Sequence, residues 1–102
     1  MGDMSEYVYL WEFLVAAHSQ QEFERHYGSE GSWVMLFRQH PGYIGTSLLQ
    51  DRANPLHYVT IDRWQSLEAY QDFRAQCSSQ YDKLDRLCQD LTTMEVSLGR
   101  LC

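Results

Sequence analysis

Tyr58, Thr60, Asp62 and Trp64 alternate along the stretch HYVTIDRW, and a β-strand turns alternate side chains to one face. That face would carry a phenol, a hydroxyl, a carboxylate and an indole in a row. Tyr9, Trp11 and Phe13 alternate in the same way within YVYLWEFLV. Laid side by side, the two strands make an aromatic floor with a few polar groups set into it. A later helix would add Tyr70, Phe73, Arg74 and Tyr81 from above, and an earlier helical region Tyr27, Trp33 and Phe37. Buried hydroxyl, carboxyl and indole groups require hydrogen-bond partners. Two arrangements meet that demand: a filled aromatic core, or a cavity for a flat, apolar, partly phenolic ligand. The residues alone leave both open.

The elements that must hold these groups follow from periodicity. Residues 6–17 read as a first strand. Ser19 with Glu22 three residues on reads as a capping box, opening a helix that carries Phe23 and Tyr27 on one side and stops at Gly28. Trp33, Leu36 and Phe37 repeat at helical spacing in SWVMLFRQH, and His40-Pro41-Gly42 ends that piece. Residues 43–51 and 57–64 read as two strands of a hairpin across the Arg52-Ala53-Asn54-Pro55 turn. Ser66 is an N-cap with Glu68 in the first turn. A single helix is expected from there to about Asp90, with Leu67, Tyr70, Phe73, Cys77, Tyr81, Leu84, Cys88 and Leu91 as its apolar stripe. Residues 92–101 read as the last strand. The order βαββαβ is that of an α+β, ferredoxin-like domain with a four-stranded antiparallel sheet, and 102 residues suffice for one such domain.

Both faces of the first strand are apolar. Four strands at ~4.8 Å spacing make a sheet about 19 Å wide, and two helices, each ~10 Å across, cover one face of it. The other face, roughly 400–500 Å² by the same spacing, would show Val8, Leu10, Leu14, Val59 and Ile61. Patches of that size mark interfaces, so a second copy packed sheet on sheet by two-fold symmetry is expected. Glu12 breaks that face and needs a partner; Arg63, of matching parity, is the expected one.

Composition narrows the function classes. Net charge is −6 and the eight Lys and Arg are scattered, so no phosphate-tracking surface for nucleic acid is expected. No apolar run approaches the ~18 residues of a spanning helix. The opening MGDMSEY has two acids and no basic region, so no secretory signal is read there and the cytoplasm is the expected location. Cys77, Cys88 and Cys102 form no C-x-x-C pair, and the thiols are expected to be reduced. His18, His26, His40 and His57 have no metal-ligand spacing and read as surface or turn residues. There is no glycine-rich phosphate loop. No metal, nucleotide or flavin cofactor is expected.

Three pieces carry a family resemblance: Trp11-Glu12-Phe13, LFRQHPGYIGT from Leu36 to Thr46, and YVTIDRWQSLEAY from Tyr58 to Tyr70. Together they resemble the antibiotic biosynthesis monooxygenase family, over about residues 7–100. The resemblance implies a ferredoxin-like dimer whose sheets form an α/β barrel. It also implies, for the cofactor-free members, oxidation of polycyclic phenols to quinones with electrons supplied by the substrate. Those members resemble this chain at a tryptophan ending the third strand, here Trp64, and at a tyrosine early in the second helix, here Tyr70. Where they have an asparagine four residues before that tryptophan, this chain has Thr60. In such a reaction Asp62 is the candidate base and Arg74 the candidate partner of a substrate oxyanion. Tyr9, Trp11, Phe13, Tyr58, Thr60 and Phe73 would line the substrate's place. The haem-degrading branch resembles the chain less, since Arg74 stands where it has a histidine. The resemblance thus implies a monooxygenase acting on an aromatic or polyketide-type molecule, or a non-catalytic dimeric barrel that binds one.

Overall fold

The computed structural model of the chain describes residues 6–100. Its elements are β1 (Tyr7–Val15), α1 (Gln20–Tyr27), α2 (Ser32–Phe37), β2 (Tyr43–Gln50), β3 (His57–Trp64), α3 (Leu67–Gln76), α4 (Ser78–Cys88) and β4 (Thr92–Arg100). The four strands form one antiparallel sheet in the order β2-β3-β1-β4. The fold is the α+β, ferredoxin-like arrangement that the sequence implied.

Register sets which side chains share a face. Tyr9 pairs with Asp62, Trp11 with Thr60 and Phe13 with Tyr58. The two alternating sets therefore lie together, facing the helices. Phe23, Tyr27, Trp33, Phe37, Trp64 and Phe73 complete a buried aromatic core around them. Ring centroids lie 4.3 Å apart for Phe23–Tyr27 and 5.1 Å for Trp64–Phe73, within the range where aromatic pairs attract beyond their buried area. Gly42 is packed so closely that a Cβ there would lie 2.5 Å from the Ala69 methyl carbon. That approach seats the N-terminal turn of α3 against the start of β2, with Gln65 N–H donating to the Gly42 carbonyl at 2.8 Å. Gly99, at φ +91°, follows the bulge where β4 loses step with β1 between Leu10 and Trp11.

Several local expectations are corrected. Ser19 does not cap α1 through its side chain; it closes a short 3-10 turn, Ala17–Ser19, ahead of the helix. Gly28 does end α1, in extended backbone. The long second helix is two: Cys77, at φ −116° and ψ 23°, bends the chain between α3 and α4. Hydrogen bonds still pass through the bend, from Cys77 N to Phe73 O and from Tyr81 N to Cys77 O, both at 2.8 Å. An uninterrupted apolar stripe cannot announce such a bend, because the stripe continues across it. The bend lets Phe73 pack on Phe37 while Tyr81 packs on Trp33. Cys77 and Cys88 are free thiols; Cys102 lies outside the described residues.

On the outer sheet face, Glu12 does not pair with Arg63. Its carboxylate lies 2.6 Å from His57 Nε2, and His57 Nδ1 lies 2.8 Å from Asp51. Arg63 reaches Glu6 instead, at 3.7 Å. His57 precedes the cross-strand position of Glu12 by two residues, so diagonal reach across the pair decides the partner. The histidine is thus a clamp between two carboxylates, not a simple turn residue. His26 is likewise not at the surface: it is buried and hydrogen-bonded to Ser32 Oγ at 2.7 Å. No helix among the described residues is long and apolar enough to cross a membrane.

Candidate functional site

A cavity of about 490 Å³ lies between the inner face of the sheet and helices α2 and α4. Its floor is Tyr9, Trp11 and Phe13 of β1 with Thr60 and Asp62 of β3 and Thr46 of β2; its roof is Tyr27, Trp33, Phe37, Arg74 and Tyr81. Asp85, Gln89, Thr93 and Glu95 line its solvent-facing mouth. A volume of this size suits a ligand of several fused rings, and sites for such ligands are mostly apolar with a few fixed polar groups. The aromatic set therefore does not fill its own core.

Asp62 is the charged group at the deep end. It is 5 % exposed, and burial pushes its carboxyl up to about 6. Thr46 Oγ1 donates to Asp62 Oδ1 at 2.7 Å and draws the value back down; Tyr43 Oη lies 2.7 Å from that same Thr46 hydroxyl. Since the Thr46 proton goes to the carboxylate, Tyr43 donates to Thr46, and a three-member chain leads from Asp62 to the half-buried Tyr43. Among the described residues Asp62 has no cationic partner. Thr46 was not singled out from sequence; its place opposite Asp62 in the β2–β3 register is the signal that would have found it.

Arg74 supplies the positive charge on the lining. Its guanidinium sits 3.8 Å over the Tyr81 ring, and Nη1 donates to the Tyr70 hydroxyl at 3.2 Å. Its Nε is buried without an acceptor. Burial drives the hydroxyls of Tyr9, Tyr27 and Tyr81 far up, so all three remain neutral phenols.

Tyr9, Trp11, Phe13, Thr60, Asp62 and Arg74 thus converge on one cavity. Tyr58, Trp64, Tyr70 and Phe73 do not form its wall. Tyr58 lies under α1, where its hydroxyl meets Glu24, Gln20 and Gln50. Trp64 is wholly buried behind Phe37, with ring centroids 5.6 Å apart and no acceptor for its Nε1. Phe73 packs on both Trp64 and Phe37. Tyr70 is layered against Tyr7, Tyr9 and Trp64, its hydroxyl holding Arg74.

The sequence profile of the family described as antibiotic biosynthesis monooxygenase matches residues 7–78, over two thirds of the 102-residue chain. The chain belongs to that family. Solved structures agree on the fold. A candidate monooxygenase from Fusobacterium nucleatum superposes with a TM-score of 0.77 at 12% identity, covering 98% of this chain and 44% of its own; this chain thus spans less than half of that protein. A candidate antibiotic biosynthesis monooxygenase from Bacteroides thetaiotaomicron gives 0.73 at 16% identity, covering 96% of this chain and 90% of its own. SnoaB, a cofactor-independent oxygenase from Streptomyces nogalater, solved as a single-site mutant, gives 0.66 at 22% identity, with coverages of 91% and 90%. At these identities the likeness carries the fold alone. No curated protein gives a significant match.

Proposed function

We propose that the chain is a cofactor-independent monooxygenase acting on an aromatic or polyketide-type phenol, and that it works as a homodimer. The observation that supports this most is Asp62: a carboxylate buried at the end of an aromatic cavity, titrating near pH 6, with no cation beside it among the described residues. Keeping such a group unpaired is unfavourable for folding, and a base poised near the working pH is what proton abstraction from a phenol requires.

In this reading a flat substrate lies on Trp11 and Phe13 with its hydroxyl toward Asp62, which takes the proton. Arg74, held by Tyr70 and Tyr81, gives the lining the positive charge that favours the anion formed. The electron-rich anion gives one electron to dioxygen, and the radical pair recombines to a peroxide at ring carbon. Loss of water leaves a quinone: one oxygen atom enters the product as carbonyl, and the other leaves with two substrate hydrogens. The chain's tasks are to hold the ring, accept and return a proton, and exclude bulk water. Trp64 and Tyr70 act here as positioning residues, Trp64 by fixing Phe37 and Tyr70 by fixing Arg74.

The dimer is supported by the outer sheet face. Leu10, Leu14, Val59 and Ile61 are partly exposed there, and Leu49 and Val96 are 51 % and 40 % exposed, whereas Val8, expected on the same open face, is buried. Apolar side chains on an open sheet face, here set around the Glu12–His57 pair, are the kind of surface a second copy covers.

An anthrone incubated with the protein under air tests the reaction, read as quinone absorbance. Catalysis above the spontaneous rate that Asp62→Asn abolishes is the expected result. A second reading, a non-catalytic binder, is favoured by one observation: Thr60 presents a hydroxyl where an amide would be implied by the resemblance. Binding of the anthrone without acceleration would establish that reading instead.

A further inference from the structure

The mouth of the cavity carries an electrostatic feature that phenol oxidation does not use. Asp85 lies one turn beyond Tyr81 on α4, and Glu95 stands opposite Phe13 on the inner face of β4. Both line the cavity. Among the described residues neither carboxylate is in a salt bridge. Burial, and then the like charge of Asp85, push the Glu95 carboxyl up. At the deep end a third carboxylate, Asp62, is 5 % exposed and also lacks a cation. Its one hydrogen bond among the described residues comes from Thr46 to Oδ1, which leaves Oδ2 for a ligand. Against these three acids the lining offers, among the described residues, the single guanidinium of Arg74, already stacked on Tyr81. The walls between are the π faces of Tyr27, Trp33 and Tyr81.

We propose that the ligand of this cavity is an aromatic molecule bearing a protonated amine, with the amine seated at the Asp85–Glu95 rim. The inference rests on the reading of the cavity as a small-molecule site and specifies its substrate class. Uncompensated carboxylates in a partly desolvated opening attract a cation and repel an anion. Tyrosine and tryptophan faces beside them add cation–π attraction. A carboxylated aromatic would meet repulsion at both ends of the cavity. An aminated one satisfies the rim while its ring system lies on Trp11 and Phe13.

Three naphthalenes of nearly equal shape test this: 2-naphthylmethylamine, 2-naphthylmethanol and 2-naphthoate, titrated against the full chain at pH 7 and low ionic strength by calorimetry. The amine is expected to bind about five-fold tighter than the alcohol, the scale of one solvent-exposed ion pair, and the naphthoate most weakly. Asp85→Asn combined with Glu95→Gln is expected to bring the amine to the affinity that the alcohol shows for the same variant. Both side chains are exposed, and removing two like charges that burial and mutual repulsion disfavour should not weaken the fold. If the alcohol binds and the amine is no tighter, or if the amine preference survives the double substitution, the proposal is overturned and the cavity reading stands. If none of the three binds, the cavity reading falls and takes this proposal with it.

Discussion

Asp62→Asn should make the protein more stable at neutral pH, although it removes the proposed base. The carboxyl titrates near 6 in the folded chain against an ordinary 3.8, raised by burial. A group whose folded pKa is raised contributes stability that is complete below its unfolded pKa. That contribution is lost as pH rises through the folded pKa. The gap of 6 − 3.8 = 2.2 corresponds to about 3 kcal/mol disfavouring the folded state at pH 7.5, at 1.36 kcal/mol per unit. Of this, about 2 kcal/mol accrues between pH 4.5 and 7.5 by the same linkage. Asparagine is nearly isosteric, can still accept from Thr46 through its carbonyl, and does not titrate. Urea denaturation of both forms at pH 4.5 and 7.5, at one protein concentration so that self-association is held constant, reads the difference. The variant should gain on the parent by about 2 kcal/mol between the two pH values. A variant that is less stable at pH 7.5, or whose difference from the parent does not change with pH, would refute the claim that Asp62 is a buried, unpaired carboxylate. Asp62 would then not be a base poised near neutral pH.

Thr46→Val removes a charge-assisted hydrogen bond of about 1.5–3 kcal/mol, so the acid limb of any turnover profile should move up from about 6 by roughly one to two units; an unmoved limb would exclude Asp62 as the titrating base. Phe73→Ala, at a side chain with no exposure, should cost about 3–5 kcal/mol in denaturant unfolding. Val59→Asp on the outer face should convert a sedimenting dimer to a monomer near 12.0 kDa, and a monomeric parent chain would refute the dimer. His57 is raised by Asp51 and then Glu12, so its stabilisation is present below the ordinary histidine pKa and is lost as pH rises through the elevated value. His57→Gln should therefore lower the thermal midpoint near pH 6 and change it less near pH 9.

The sheet and its two faces were legible in the chain because strand periodicity is local. Tyr58, Thr60, Asp62 and Trp64 share a face by backbone geometry alone, and pairing with Tyr9, Trp11 and Phe13 followed once both strands sat in one sheet. Ser66 capped α3 as its type implied, its Oγ accepting from Ala69 N–H at 3.1 Å. The Glu12 partner was misread because parity names a face and not a neighbour. His57 reached the carboxylate diagonally, and its length and register decided the outcome.

What the chain determined by itself was therefore the element order, the inner aromatic face and the apolar outer one, since these depend on period-two and period-3.6 patterning. Only the tertiary structure decided that the aromatics leave a cavity instead of closing over it. It also decided that Trp64 and Tyr70 stand behind the wall while Thr46, Asp85 and Glu95 stand on it. Whether rings fill a volume is a matter of three-dimensional packing, set here by the bend at Cys77 and the seating of α4 against α2. No one-dimensional pattern encodes the distance between surfaces that meet only after folding.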